Sequence, residues 1–324
     1  MKFSLFLSAQ LDPGAGFGLQ IEQLAQQVEC AERVGFDTVF LPHHHLAGVP
    51  YLQPIPLLGF LAARTSRIRL GTGVLLLPLR HPVALAEEIA TLDIVSGGRI
   101  TVGVGQGYRQ EELDAFAVPP SARGQWLEES VGVMRRLWSG QPVTISSHFG
   151  TLKEASGSLS PVQSGGPPIW IGANGARAIE RAARIGDAWI GSSSLPRREL
   201  PAALDRFRAA RRATGRPDVV EYPVLREASV APARDAARAT LERYLGVKIA
   251  AYARWGRARP GVEETIAECA IVGTPSEATA QIRDYQDGLG VNHLILRVHW
   301  PGLGQDVALE TIRRLGEDVI AQVR

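Results

Sequence analysis

Residues 70–107 hold two apolar strands from which side chains are missing at regular intervals. The first runs from Leu70 through Gly71, Thr72, Gly73 and Val74 to Leu77, and stops at Pro78 and the His81-Pro82 turn. A helical segment follows. The second runs from Arg99 to Val104 and ends in alternating glycines at 103, 105 and 107. This is a β-α-β unit, an arrangement that demands parallel strands with a helix covering them. Glycine inside a strand marks a place where something approaches the main chain closely. The expectation is a flat or anionic ligand lying against bare backbone at Gly71, Gly73, Gly103 and Gly105.

The same alternation runs through nearly the whole chain. Strands are predicted over 3–7, 37–41, 67–77, 99–104, 168–171, 187–190, 219–230 and 291–298. Helical spacing of apolar residues covers 19–34, 56–63, 83–95, 121–138, 176–185 and 201–214. Further helices start near Thr274, in a capping-box pattern with Glu277, and near Val307. Eight strands, each followed by a helix, predict an α/β fold: a single (β/α)8 TIM-like barrel over residues 1–324. Segments 140–166 and 232–270 break the pattern and are read as insertions after strands four and seven, the first a small hairpin. A doubly wound sheet with a second domain is the competing architecture. It is weakened by the lack of a Gly-x-Gly-x-x-Gly turn after strand one.

Composition narrows the function classes. With 45% hydrophobic and 21% charged residues and a net charge of +2, the chain is an ordinary globular protein with no nucleic-acid signature. Its densest basic group, Arg206, Arg208, Arg211 and Arg212, shares one predicted helix and reads as a solvated face. Cys30 and Cys269 read as reduced, buried thiols. No apolar run reaches the ~18 residues of a membrane helix, and the apolar N-terminus is short and strand-like. A cytoplasmic protein is expected.

Barrel active sites lie at the C-terminal ends of the strands. There stand His43, His44 and His45 after strand two, Gln106 and Tyr108 after strand four, Gly172 to Ala176 after strand five, and His299-Trp300 after strand eight. Neighbouring histidines on an extended segment point to opposite sides, and no carboxylate or cysteine cluster stands at ligand spacing, so no metal site is expected. One imidazole poised as proton donor or acceptor fits better. The small-residue turn 172–176 opens a helix, whose N-terminus favours phosphate. Arg177 in that first turn is unfavourable for the dipole unless an anion binds. Glu111 and Glu112 are read as a helix start, and Arg123 with Glu128 as a candidate ion pair.

Taken in order, several motifs resemble the bacterial luciferase-like family of flavin- and deazaflavin-dependent monooxygenases and oxidoreductases. They include Gly35-Phe-Asp-Thr38 with the three histidines, Arg67 to Thr72, His81-Pro82, Glu87-Glu88 and Ser96-Gly-Gly-Arg99. Gly103 to Gly107, Pro168 to Gly172, Gly186-Asp187 and Gly273-Thr-Pro275 continue the match. The resemblance implies a ring-shaped cofactor against strand three, over a non-prolyl cis bond at Gly73–Val74. It implies a phosphate tail at Gly172, Ala173, Asn174, Gly175 and Ala176, aided by Gln106. His44 matches the catalytic histidine; His43, Tyr108 and Trp300 are candidates for the substrate pocket. The family's usual Glu-His-His reads His43-His44-His45 here, so an acidic residue is lost.

The leading expectation is a two-component FMN-dependent monooxygenase using O2 and reduced flavin from a separate reductase, acting on a small organic substrate. The alternative is hydride transfer with the deazaflavin coenzyme F420. A flavin-binding protein without turnover is a third reading, and a metal-dependent barrel hydrolase the last. The family tendency implies a homodimer.

Overall fold

The computed structural model describes residues 1–219, 221–255 and 260–324. Strand and helix alternate as β1 (Lys2–Phe6), α1 (Phe17–Arg33), β2 (Thr38–Leu41), α2 (Pro54–Arg64), β3 (Arg69–Leu76), α3 (Pro82–Val95) and β4 (Ile100–Gly105). Then come α4 (Gln110–Ala115), α5 (Arg123–Trp138), β5 (Val143–Ser147), β6 (Gly150–Ala155), β7 (Ile169–Ala173), α6 (Ala176–Ile185), β8 (Ala188–Gly191) and α7 (Leu200–Ala213). The remainder is β9 (Pro223–Val230), α8 (Arg234–Arg254), α9 (Val262–Cys269), β10 (Ala270–Gly273), α10 (Pro275–Arg283), β11 (His293–Arg297) and α11 (Gln305–Arg314).

Eight of these strands pair in parallel in the order β1-β2-β3-β4-β7-β8-β9-β11. The ring closes where β11 returns to β1, Lys2 opposite His293, and where Gly191 of β8 meets Val224 of β9. This is the (β/α)8 barrel that the alternation predicted. Strands β5 and β6 form an antiparallel hairpin outside it. Segment 232–270 holds α8 and α9. The short strand β10, absent from the sequence reading, runs parallel to the end of β9 over Glu227–Val230. Predicted strand seven starts later than read, at Pro223, and Val220 lies outside the described residues. No helix among the described residues is long and apolar enough to cross a membrane.

Local chemistry explains several boundaries. Pro82 opens α3, with its missing N–H at a position that needs none, and the His81 ring accepts the Val83 N–H at 3.3 Å. The Thr274–Glu277 capping box at α10 is formed in both directions.

The barrel interior corrects one expectation. Phe6, Phe40, Trp170, Ala188, Ile190 and Ile295 fill it as one buried cluster, with Val74 and Leu225 packed against them. A Cβ on Gly71 would lie 2.6 Å from the Phe40 ring, and one on Gly103 only 2.0 Å from the Thr72 carbonyl oxygen. Gly71 and Gly103 therefore make room for the protein's own atoms, not for a ligand. Gly73 and Gly105, one pleat nearer the C-terminal end, do reach the cavity described below.

At the foot of the barrel a polar chain ties β1 and β11 to the segment just before β9. Ser4 Oγ meets His293 Nε2 at 2.6 Å, and His293 Nδ1–H donates to Glu221 Oε2 at 2.7 Å. Lys2 completes the chain on the other Glu221 oxygen. Burial pushes the Glu221 carboxyl up, but the bonds from His293 and Lys2 outweigh it and hold it down to about 2. A depressed carboxyl contributes stability above its unfolded value of 4.5 and loses it as pH falls towards about 2.

Gly103→Ala is expected to cost about 3 kcal/mol or more, because the opposing atom is backbone and cannot move aside. Gly132→Ala on the open face of α5, with nothing within 4 Å, is expected to be neutral or to stabilise by about 0.5–1 kcal/mol; urea unfolding compares them. Glu221→Gln is expected to lose about 1–3 kcal/mol at pH 7. It should also flatten the wild-type fall in stability below pH 4.5, as read by unfolding across that range.

Candidate active site

The C-terminal ends of β3, β4, β7 and β11 and the loop after β2 surround a cavity of about 460 Å³. That lies within the ~300–1,000 Å³ of small-molecule sites. A larger hollow of about 750 Å³ opens at the opposite end, among Lys2, Arg69 and Glu221. That end is the foot of the barrel, where residues serve stability.

The floor of the cavity is built by β3. The Gly73–Val74 peptide is cis, and the β3–β4 register shifts between Thr72 and Leu75. The Val74 side chain lies across the neighbouring strands. A Cβ on Gly105 or Gly172 would come within 2.7 or 2.8 Å of its methyl groups. Glycine at both positions lets the valine stand as a small apolar platform.

The three histidines divide their roles. His43 is 2% exposed and both its ring nitrogens are engaged. Nδ1 accepts the Leu76 N–H at 3.0 Å, so Nε2 carries the proton and donates to Gln53 Oε1 at 2.9 Å. Burial, with His45 and Arg80 adding to it, holds His43 down to about 3, so it is neutral. Gln53 in turn donates to the His44 carbonyl at 3.0 Å and fixes the loop. His43 touches the cavity but is committed to holding β3 and its own loop.

His44 is the exception. Its Nδ1–H donates to Glu112 Oε1 at 3.0 Å, which leaves Nε2 for the cavity. The same carboxylate oxygen accepts the His45 backbone N–H at 2.8 Å. Arg109 locks the arrangement from outside. Its guanidinium donates to the carbonyls of His45 at 2.7 Å and Leu46 at 3.0 Å, and lies 3.5 Å from Glu112. Trp255 covers both, 5.0 Å from the His44 ring and 4.6 Å from the Arg109 carbon. Glu112 is 1% exposed. The carboxylate missing beside His44 in sequence is thus supplied from α4. The sequence reading took Glu112 for a helix start; it is in the first turn of α4, but only the fold brings it beside His44.

At the other wall, Gln106, Asn174, Gly175 and Arg123 surround the N-terminus of α6. The first amides of a helix have no intrahelical acceptor. Nothing lies within 4 Å of where a Gly175 Cβ would be, so the approach to them is open. Arg123 donates to the Gly107 carbonyl at 3.3 Å, and no bridge to Glu128 forms. Glu128 pairs with Arg181 and Arg184 instead. Free amides, a helix dipole and a guanidinium in one open corner suit a phosphate. The phosphate of a flavin-type cofactor would fit this donor set.

Gly73, Val74, Gln106, Gly172, Ala173, Asn174, Gly175, Tyr108, His43 and His44 are brought to one cavity. Ala176 opens α6 without lining it. Trp300 does not reach the cavity, which corrects the sequence expectation. It is buried against Leu241 and Leu245 of α8, and its indole N–H donates to Glu227 Oε2 at 2.9 Å. Sequence reading also missed Arg297 and Tyr252, which do line the cavity. Neither sits in a recognisable motif. Arg257 and Arg259, which in sequence could add basic charge at the cavity mouth, lie outside the described residues. Among the described residues no group of three or more His, Cys, Asp or Glu side chains converges to hold a metal.

Known proteins share this architecture. A family model for luciferase-like monooxygenases matches residues 1–293. An F420-dependent glucose-6-phosphate dehydrogenase of Microbacterium testaceum is 31% identical over 91% of both chains. The oxygenase component of a flavin-dependent trigonelline monooxygenase from Acinetobacter baylyi is 29% identical over 57% of this chain and 52% of its own. The crystal structure of monooxygenase RslO1 from Streptomyces bottropensis superimposes with a TM-score of 0.89 and 27% identity over the full length of both. With motif order, barrel and family model in agreement, the chain belongs to the luciferase-like monooxygenase family.

Proposed function

We propose that this protein is an oxidoreductase that uses coenzyme F420 to move a hydride to or from an organic substrate. The observation that carries the reading is the carboxylate-held imidazole of His44 on the wall of the cavity floored by Val74. A bound deazaflavin supplies or accepts the hydride. The chain's own part is to handle the proton. When an alcohol becomes a carbonyl, its hydroxyl proton must leave as the hydride leaves carbon, and His44 Nε2 is placed to take it. The imidazolium so formed keeps its Nδ1–H on Glu112, whose negative charge stabilises it. Asn174, Gly175, Arg123 and the α6 N-terminus would hold its phosphate. Gly105 and Gly172 leave Val74 free to support the ring. The similarity to F420-dependent dehydrogenases over nine-tenths of both chains supports this choice.

A second reading has its own support. The likeness to RslO1 over the whole of both chains favours a monooxygenase with reduced FMN. A separate reductase would then supply the reduced flavin, as the name of the trigonelline enzyme's oxygenase component suggests for that protein.

Fluorescence titration separates the two. Coenzyme F420 is expected to bind at least about 10-fold more tightly than oxidised or reduced FMN. Tighter binding of reduced FMN, with protein-dependent oxygen consumption, would establish the second reading instead. Binding of neither would sink both. For the proton step, Glu112→Gln is expected to lower kcat about 100-fold, with KM and cofactor affinity within about 2-fold of wild type. Combined with His44→Asn it should add little further loss, because the two residues act as one unit. Additive losses would separate their roles.

A further inference from the structure

The cavity wall above β9 and β11 carries a buried charge cluster that the proton-handling pair does not use. Glu227 of β9 is fully buried. Its Oε1 is bound by Lys248 of α8 and lies 3.5 Å from Arg297 Nη1 of β11. Its Oε2 accepts the Trp300 indole N–H. Burial pushes this carboxyl up, but Lys248 and Arg297 outweigh it and hold it down to about 2, so it is ionised at neutral pH. Two cations therefore share one carboxylate, and among the described residues the cluster sums to one positive charge. A buried charge is costly unless something neutralises it.

Geometry says where the surplus sits. Lys248 holds the close position on Glu227, while the Arg297 contact is at the outer limit of a hydrogen bond. Lys248 does not line the cavity, and Arg297 does, beside Tyr252. The guanidinium carbon lies 4.4 Å from the centre of the Phe6 ring, which covers one face, and Glu227 and Tyr252 take two of its five N–H donors. A guanidinium edge matches a carboxylate in two parallel hydrogen bonds. In the eight-strand order β11 lies opposite β4, across the barrel from the phosphate corner, and two strands from β2, which leads to His44.

We infer that Arg297 anchors the substrate by a singly charged anionic group, a carboxylate in the simplest case, on the side of the cavity away from the cofactor phosphate. The inference rests on the proposed function only for the identity of the cavity as the active site. A single surplus positive charge suits a monoanion. A dianion such as a sugar phosphate would leave a buried negative charge unmatched, which sets this site apart from one built for glucose 6-phosphate.

The test uses the full chain without cofactor and three probes of similar bulk: hexanoate, 1-hexanol and the dianion butylmalonate, followed by calorimetry. Hexanoate is expected to bind about 10-fold or more tightly than hexanol, and butylmalonate no more tightly than hexanoate. Arg297→Gln leaves Lys248 and Glu227 as a neutral pair and should bring hexanoate and hexanol within about 2-fold. Equal binding of acid and alcohol by the parent protein, or a preference that survives Arg297→Gln, overturns the inference. Tighter binding of butylmalonate than of hexanoate by the parent overturns the single-charge assignment. Should Arg297→Gln fail to fold, Glu227→Gln reads the cluster from the other sign. It raises the surplus to two and should make butylmalonate the tighter ligand, and an unchanged order overturns the inference. Cofactor binding is scored separately by fluorescence. A protein that binds F420 without the hexanoate preference loses only this inference, and one with the preference that does not bind F420 loses only the proposed function.

Discussion

The volume inside eight closed strands is small, and the protein's own side chains use most of it. Phe40 and Trp170 pack 5.5 Å apart across the interior, and Phe6, Ile190 and Ile295 close the space around them. Rings of that size fit only if a facing position gives way, and Gly71 is where it does; Gly103 yields to the Thr72 carbonyl instead. One pleat higher the same economy has another result. With glycine at 105 and 172, the Val74 side chain lies over the strand ends and becomes the floor of a cavity. The cavity is the part of the barrel left open above the Phe40 and Trp170 layer.

Charge is organised on the same scaffold in three places, two of them buried, each centred on one carboxylate. At the foot, Glu221 gathers His293 of β11 and Lys2 of β1. Beside the cavity, Glu112 gathers His44, the His45 amide and Arg109. At the far wall, Glu227 gathers Lys248, Arg297 and Trp300. Removing one partner from such a group leaves an uncompensated charge, which costs far more than the pair contributes when intact. The groups therefore hold geometry more than they add stability. At His44 what they hold is the choice of ring nitrogen that faces the cavity.

The family resemblance suggested that an acidic residue had been lost beside the catalytic histidine. The structure shows a carboxylate at the same imidazole, delivered by a different element. The loop His43-His44-His45 is pinned from three directions: His43 to β3, Gln53 to the His44 carbonyl and Arg109 to the carbonyls beyond. Both His43 and His44 reach the cavity, but both ring nitrogens of His43 are engaged, which leaves the His44 Nε2 as the one offered to it.

Much of the fold was legible in the sequence because its signals are local. The alternation of apolar runs sets parallel strands and covering helices. The capping box at Thr274, the proline that opens α3 and the hairpin near 143–155 each depend on residues close in the chain. The turn at 172–176 and the glycines of β3 and β4 marked the ligand-facing end of the barrel for the same reason. What sequence could not decide was which distant side chains meet. Gly71 and Gly103 look like Gly73 and Gly105 until Phe40 is seen to fill the space beside Gly71 and the Thr72 carbonyl to press against Gly103. Glu112, Arg297 and Glu227 lie in no motif, and Trp300 sits where a pocket residue would, yet turns away to α8. Pairing between side chains far apart in the chain is set by strand order, register and pleat together, so only the closed barrel decides it.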